Sequence, residues 1–98
     1  MSSDEMDALR QQIDELDRQL VRILNERAQL ANQIGEVKKR LKLPVYNPQR
    51  ETEVMKNVTG HNPGPLPEDA IRRLFERIID ETRRLEREHV EKAKEDRS

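Results

Sequence analysis

Residues 6–41, MDALRQQIDELDRQLVRILNERAQLANQIGEVKKRL, carry a heptad pattern that predicts one long helix. Two lines of mostly apolar residues repeat every seven positions: Met6, Ile13, Leu20, Arg27, Ile34, Leu41 and Leu9, Leu16, Ile23, Leu30, Val37. These lines are the a and d positions of a helix that packs against other helices. We therefore predict an all-α fold whose first helix covers about residues 4–41.

The rest of the chain predicts two further helices. Asn47-Pro48 suits an N-cap followed by the first helical residue, so we expect the second helix over about residues 48–58. A loop rich in proline and glycine follows, and the third helix is expected over about residues 67–91. Its apolar face is formed by Ile71, Leu74, Phe75, Ile78, Ile79, Thr82, Leu85 and His89. We expect the polar residues 91–98 to fray, and the 98 residues to form a single domain of three helices, long, short and medium.

Composition argues against several classes of protein. Nineteen basic and 20 acidic residues nearly cancel, so no positive excess favours nucleic acid as a partner. The chain has no cysteine, and its two histidines are far apart in the sequence, so we expect no metal site and no cofactor. No apolar run reaches membrane length and the first residues have no signal-peptide character, so we expect a cytoplasmic protein without a membrane partner.

The predicted first helix is too long for one chain of this size to cover. About 36 helical residues span roughly 54 Å, whereas a compact domain of about 100 residues has a radius of gyration of about 13 Å. A second copy would have to cover the remainder. We therefore predict an intertwined homodimer whose two long helices pack together. An extended coiled-coil dimer without a site is the alternative that the heptads leave open.

Arg27 and Lys38 are two cations on one face of this helix. They are 11 residues apart, about three turns, and the small residues Ala31 and Gly35 lie between them. Burying a cation on such a face costs free energy unless an anion pairs with it. The pattern therefore predicts a socket for a small anion. Pairing of Arg27 with a glutamate of a neighbouring helix, and extension of Lys38 to water, are the alternatives.

Four side chains of the other helices could complete this socket. Arg50 and Glu51 follow the Asn47-Pro48 cap and would add a cation and a hydroxyl acceptor, although a solvated surface pair is also possible. Thr82 and Glu86 lie on the apolar line of the third helix. A glutamate there is most often an ion-pair partner, but its protonated form could serve as a hydrogen-bond donor.

Arg10 could reach the same ligand only from a second chain. It precedes Arg27 by 17 residues, which is about 26 Å along one helix. In an antiparallel pair of long helices, Arg10 of the partner subunit would approach the far side of the socket.

Several segments together resemble one enzyme family over about residues 4–88. The segments are Leu9-Arg10, Asn25-Glu26-Arg27, Gly35-Glu36-Val37-Lys38, Pro44-Val45-Tyr46-Asn47-Pro48-Gln49-Arg50-Glu51 and Arg73-Leu74-Phe75 with Ile78-Ile79. In this order and spacing they are similar to the all-helical (AroQ-class) chorismate mutases. The resemblance implies an intertwined three-helix homodimer with shared active sites. It also implies the Claisen rearrangement of chorismate to prephenate, on the route to phenylalanine and tyrosine.

The resemblance assigns roles to the candidate residues. Arg27 and the partner's Arg10 would hold one substrate carboxylate, and Arg50 would help to position the other end. Glu51 would accept from the ring hydroxyl near the Asn47 backbone. The catalytic residues would be Lys38 and Glu86, which would donate to the ether oxygen as its bond breaks, together with Arg27. Thr82 would complete the binding site.

Three positions depart from the family pattern. Glu86 stands where glutamine is common, Asn47 where aspartate is common and Thr82 where serine is common. An ionised Glu86 would repel the ether oxygen, so the activity is expected to need its protonated form. An isochorismate-pyruvate lyase and a non-catalytic helical dimerisation or regulatory module are the alternative functions.

Overall fold

The computed structural model describes the backbone of residues 2–97 and the side chains of residues 3–88. Within this part the chain forms three α-helices and no strand: α1 Ser2–Leu41, α2 Pro48–Gly60 and α3 Glu68–Arg97. The predicted all-α class with three helices is confirmed. In the described residues, no helix combines the length and the apolar character needed to cross a membrane.

The main difference from the predicted elements is the length of α3. The helix continues to Arg97 instead of ending near residue 91. Glutamate, lysine, alanine and arginine dominate this end and are all good helix formers. The side chain of His89, placed on the apolar line by its spacing, lies outside the described residues.

The end of α1 is a tight turn that directs the chain back. Lys42 has a positive φ of 57°, and the Leu43 amide donates to the Lys38 carbonyl at 2.8 Å. The Lys42 amide donates to the Lys39 carbonyl at 3.3 Å, which completes a Schellman motif. A lysine in this left-handed conformation costs about 1 kcal/mol relative to glycine. The turn and Pro44 end the helix and begin the connector to α2, residues 42–47.

The start of α2 has the predicted cap. The Asn47 side chain accepts a hydrogen bond from the Arg50 amide at 3.1 Å, and Pro48 occupies the first turn. Asparagine is among the best N-cap residues, and proline loses no hydrogen bond at this position. α2 then packs against α3.

The chain divides into two compact units, and the division falls within α1. The first unit ends at Leu30 and consists of the earlier part of that helix. Its exposed large apolar residues, between 47% and 61% exposed, are Met6, Leu9, Ile13, Leu16, Leu20, Val21, Ile23 and Leu30. All of these except Val21 lie on the two heptad lines, and those seven residues are called the exposed seam below. A helix with an apolar face this long gains most of its stability from packing that face against another element.

The second unit begins at Ala31 and contains the end of α1, α2 and α3. Ala31 is 6% exposed and Glu86 is 7% exposed. Gly35 is also buried. A small residue and a glycine of α1 therefore line the most enclosed part of this unit, together with one carboxylate of α3.

Candidate active site

Lys38 is the cation at the centre of the second unit. Its Nζ lies 2.8 Å from the Val45 carbonyl oxygen and 3.3 Å from Glu86 Oε2, and its side chain is 18% exposed. An ammonium group has three N–H donors. Because two of them are directed at protein oxygens, the direction of the third is also fixed. The arrangement presents a single oriented donor to any ligand that reaches Lys38.

Glu86 lies inward, as its position on the apolar line of α3 predicts. Its side chain is 9% exposed and forms the ion pair with Lys38. A Cβ atom added at Gly35 would lie 3.8 Å from Glu86 Cγ, so the backbone of α1 passes close to this carboxylate. Burial of a carboxylate is costly unless it is paired and hydrogen-bonded. In the structure Glu86 is therefore an acceptor from Lys38, and a donor role requires that it first take up a proton.

Thr82 precedes Glu86 by one turn of α3 and is half-buried. Its hydroxyl donates to the Ile78 carbonyl at 2.8 Å. A threonine in a helix commonly makes this bond to the preceding turn. The hydroxyl oxygen keeps lone pairs that can accept a further hydrogen bond.

The two polar candidates at the start of α2 point in different directions. Arg50 is exposed, and its Nη1 lies 3.3 Å from Glu53 Oε2 on the same helix. Glu51 is half-buried and accepts a hydrogen bond from Arg83 of α3. The two residues therefore do not form the solvated pair that the sequence allowed, and Arg50 makes a surface ion pair with Glu53 instead.

Arg83 is the residue that sequence reasoning missed. Besides pairing with Glu51, its guanidinium carbon lies 4.8 Å from the centre of the Tyr46 ring, within the range of a cation–π contact. Its side chain is 27% exposed, and its Nε is buried without a hydrogen-bond partner among the described residues. The one available signal was its spacing, three residues before Glu86 and hence on a neighbouring part of the same helical surface.

Arg10 and Arg27 belong to the first unit. Arg27 is half-buried and Arg10 is exposed. The contacts of the second unit bring Lys38 together with Glu86, and Glu51 together with Arg83. Among the described residues, no group of histidine, aspartate or glutamate side chains has the arrangement of a metal site.

The chain matches a known family. Residues 9–87 match the family model described as chorismate mutase type II. The chain belongs to the chorismate mutase type II family. The resemblance noted from the sequence segments is thereby confirmed.

Three individual proteins illustrate the similarity. A chorismate mutase of Thermus thermophilus, in its form II structure, is 40% identical with a TM-score of 0.83, over 85% of this chain and 94% of that one. A bifunctional chorismate mutase/prephenate dehydratase of Aquifex aeolicus is 36% identical over 86% of this chain and 24% of its own length. A 4-amino-4-deoxychorismate mutase of Streptomyces pristinaespiralis is 32% identical over 91% of this chain and 70% of its own length. The chain thus spans about a quarter of the length of the bifunctional relatives that it matches.

Proposed function

We propose that the protein is an isomerase that rearranges chorismate to prephenate, a step toward phenylalanine and tyrosine. The observation that carries this proposal is the partly buried Lys38–Glu86 pair, held at 3.3 Å in a chain of the chorismate mutase family. The reaction is a pericyclic rearrangement, which needs neither a nucleophile nor a proton transfer. It needs the substrate held in its reactive conformer and donors directed at the ether oxygen, where negative charge develops.

Lys38 is suited to the second of these tasks. Two of its three N–H donors point to Val45 and Glu86, so the third is already oriented when the substrate arrives. A donor that does not reorganise during the reaction stabilises developing charge more effectively than a mobile one. In this proposal Lys38 donates to the ether oxygen, and protonated Glu86 is the second donor.

The remaining candidates bind the substrate in this proposal. Arg27 and Arg10 of the partner subunit hold one carboxylate, for which the arginine fork is well shaped. Arg50, freed from its surface pair with Glu53, helps to position the other end. The site is completed by Glu51 as acceptor for the ring hydroxyl, with Asn47 and Thr82 nearby.

The proposal includes a homodimer with shared sites. The exposed seam on the first unit supports it, because seven large apolar side chains between 47% and 61% exposed need a covering surface. A second copy of the same helix has a matching seam and the heptad spacing that such packing requires. The separation of Arg10 from Arg27, about 26 Å along a helix, is the reason for assigning them to different subunits at one site.

Product analysis tests the reaction directly. Purified protein should consume chorismate and release prephenate, while isochorismate should yield no salicylate and pyruvate. The family match and the named relatives favour the mutase over the lyase and over a non-catalytic helical module. Salicylate and pyruvate as the main products would establish the lyase instead, and no turnover of either compound by the assembled protein would favour the non-catalytic module.

The proposed donor role of Glu86 predicts that an amide can replace its carboxyl group. Glu86→Gln keeps an N–H donor at the position that faces the Lys38 side chain, so the variant should retain kcat for chorismate. Steady-state kinetics of wild type and Glu86→Gln in the same buffer provide the comparison.

Glu81→Gln serves as the matched control for this comparison, because Glu81 is an exposed carboxylate of the same helix. It should leave kcat unchanged. If folded Glu86→Gln loses most of the wild-type kcat while Glu81→Gln keeps it, a hydrogen-bond donor is not what the reaction needs from residue 86.

A further inference from the structure

Arg83 connects three parts of the second unit that the proposed chemistry uses. Its Nη2 donates to Glu51 Oε1 at the start of α2, and its guanidinium lies against the Tyr46 ring at 4.8 Å. Tyr46 immediately precedes the N-cap Asn47. Arg83 also lies one turn before Glu86 on α3. A single side chain thus joins α3 to the connector and to the first turn of α2.

We propose that Arg83 is a positioning residue that fixes Glu51 and makes the site prefer a hydroxyl over an ammonium group on the substrate ring. The proposal rests on the proposed function, in which Glu51 accepts from the ring hydroxyl. Among the described residues, the Glu51–Arg83 pair connects α2 to α3 and is partly buried, with side chains 28% and 27% exposed. It therefore differs from the exposed pairs within single helices, such as Arg50–Glu53 and Arg77–Glu81.

The first consequence of this pair is geometric. A free glutamate side chain has three rotatable bonds and loses their freedom when it binds a ligand. Arg83 holds Glu51 Oε1, so that freedom is already restricted before the substrate binds. A carboxylate has two oxygens with several lone pairs, so the ring hydroxyl can be accepted at Oε2 without breaking the bond to Arg83.

Lys38 restrains the same connector from the other side. Its Nζ bonds the Val45 carbonyl at 2.8 Å, one residue before the tyrosine that Arg83 covers. Adjacent residues of the connector are therefore fixed by two cations from different helices. The connector that leads to Glu51 is therefore held by a side chain of α1 and by a side chain of α3.

The second consequence is electrostatic. Glu51 alone carries a negative charge and would attract a cationic ring substituent, whereas Glu51 paired with Arg83 is close to neutral. A hydroxyl can donate to the paired carboxylate, but an aliphatic amine is protonated at neutral pH and would meet the guanidinium as a like charge. The compound 4-amino-4-deoxychorismate carries such an amine in place of the hydroxyl. The Arg83 charge therefore disfavours it relative to chorismate.

The test measures the hydroxyl preference, defined as kcat/KM for chorismate divided by kcat/KM for 4-amino-4-deoxychorismate. Active-enzyme concentration cancels in this ratio, so partial misfolding of a variant does not affect it. Arg83→Gln should lower the preference by about tenfold or more, as expected for removal of one charge close to a cationic group. Arg83→Lys keeps the charge and should retain most of the preference. If a variant turns over too slowly, the ratio of the two dissociation constants by calorimetry replaces the kinetic one.

Arg84→Gln is the matched control, because Arg84 is the next residue of α3 and its side chain is 69% exposed. It should leave the preference within twofold of wild type. A preference in Arg83→Gln within twofold of wild type overturns the role of Arg83, even if overall activity falls. Failure of the wild-type protein to convert chorismate would instead reject the proposed function, and the role of Arg83 with it.

Discussion

Replacing Lys38 by alanine should lower kcat for chorismate by about 10²–10³, the usual cost of removing one donor from an oxyanion-type site. KM should change much less, because the charge on the ether oxygen develops only as its bond breaks. Steady-state kinetics on the assembled protein measure both constants. Lys56→Ala, which removes an exposed lysine from α2, should leave them unchanged.

The loss of activity has to be separated from a loss of stability. Lys38→Ala leaves the buried Glu86 carboxylate without its partner, and breaking a buried ion pair typically costs about 3–5 kcal/mol of unfolding free energy. The double variant Lys38→Ala/Glu86→Gln removes that uncompensated charge. It should recover much of the stability in urea unfolding while kcat stays low. Recovery of kcat together with stability would assign Lys38 a structural role only.

Mixing two inactive variants should restore activity if the sites are shared between subunits. Arg10→Ala and Arg27→Ala each remove a carboxylate ligand from every site of a homodimer, and each should lower kcat/KM by about 10² or more. In a heterodimer, one site carries both substitutions and the other carries neither. Random re-assembly of equal amounts should therefore restore about a quarter of wild-type sites in a two-fold symmetric dimer.

The control for this experiment is each variant taken alone through the same unfolding and re-assembly. Native mass spectrometry, with one variant isotopically labelled, counts the heterodimers. Heterodimers that form in the expected proportion and remain inactive would exclude sharing of Arg10 and Arg27.

The helices were largely predictable because local physics determines them. The heptad lines specify α1. Asn47 with Pro48 specifies the start of α2, because the Asn47 side chain accepts from the amide of Arg50, only three residues further along the chain. The predicted end of α3, near residue 91, was too early for a related reason. The residues beyond it are polar and do not continue the apolar face, but their helix propensity is high and the helix extends to Arg97. Propensity, more than apolar spacing, accounts for the backbone there.

The sequence predicted the position of a site residue only where helical periodicity indicates which side chains are buried. Glu86 follows the apolar line of α3, and it is buried as that line predicts. The Glu51–Arg83 pair joins residues 32 positions apart. It depends on how α2 packs against α3, which no local spacing encodes. Arg50 was expected at the socket, but a glutamate three residues away on the same helix offers it a nearer partner.

If a second copy of the chain covers the exposed seam, the stability of the protein depends on its concentration. If its apolar residues are covered only by a second copy, folding and association become one bimolecular process, and dilution favours the unfolded chain by mass action. Melting temperature would rise with concentration, and specific activity would decline on dilution as whole sites disappear. Cellular abundance would then set the fraction of chains that form complete sites.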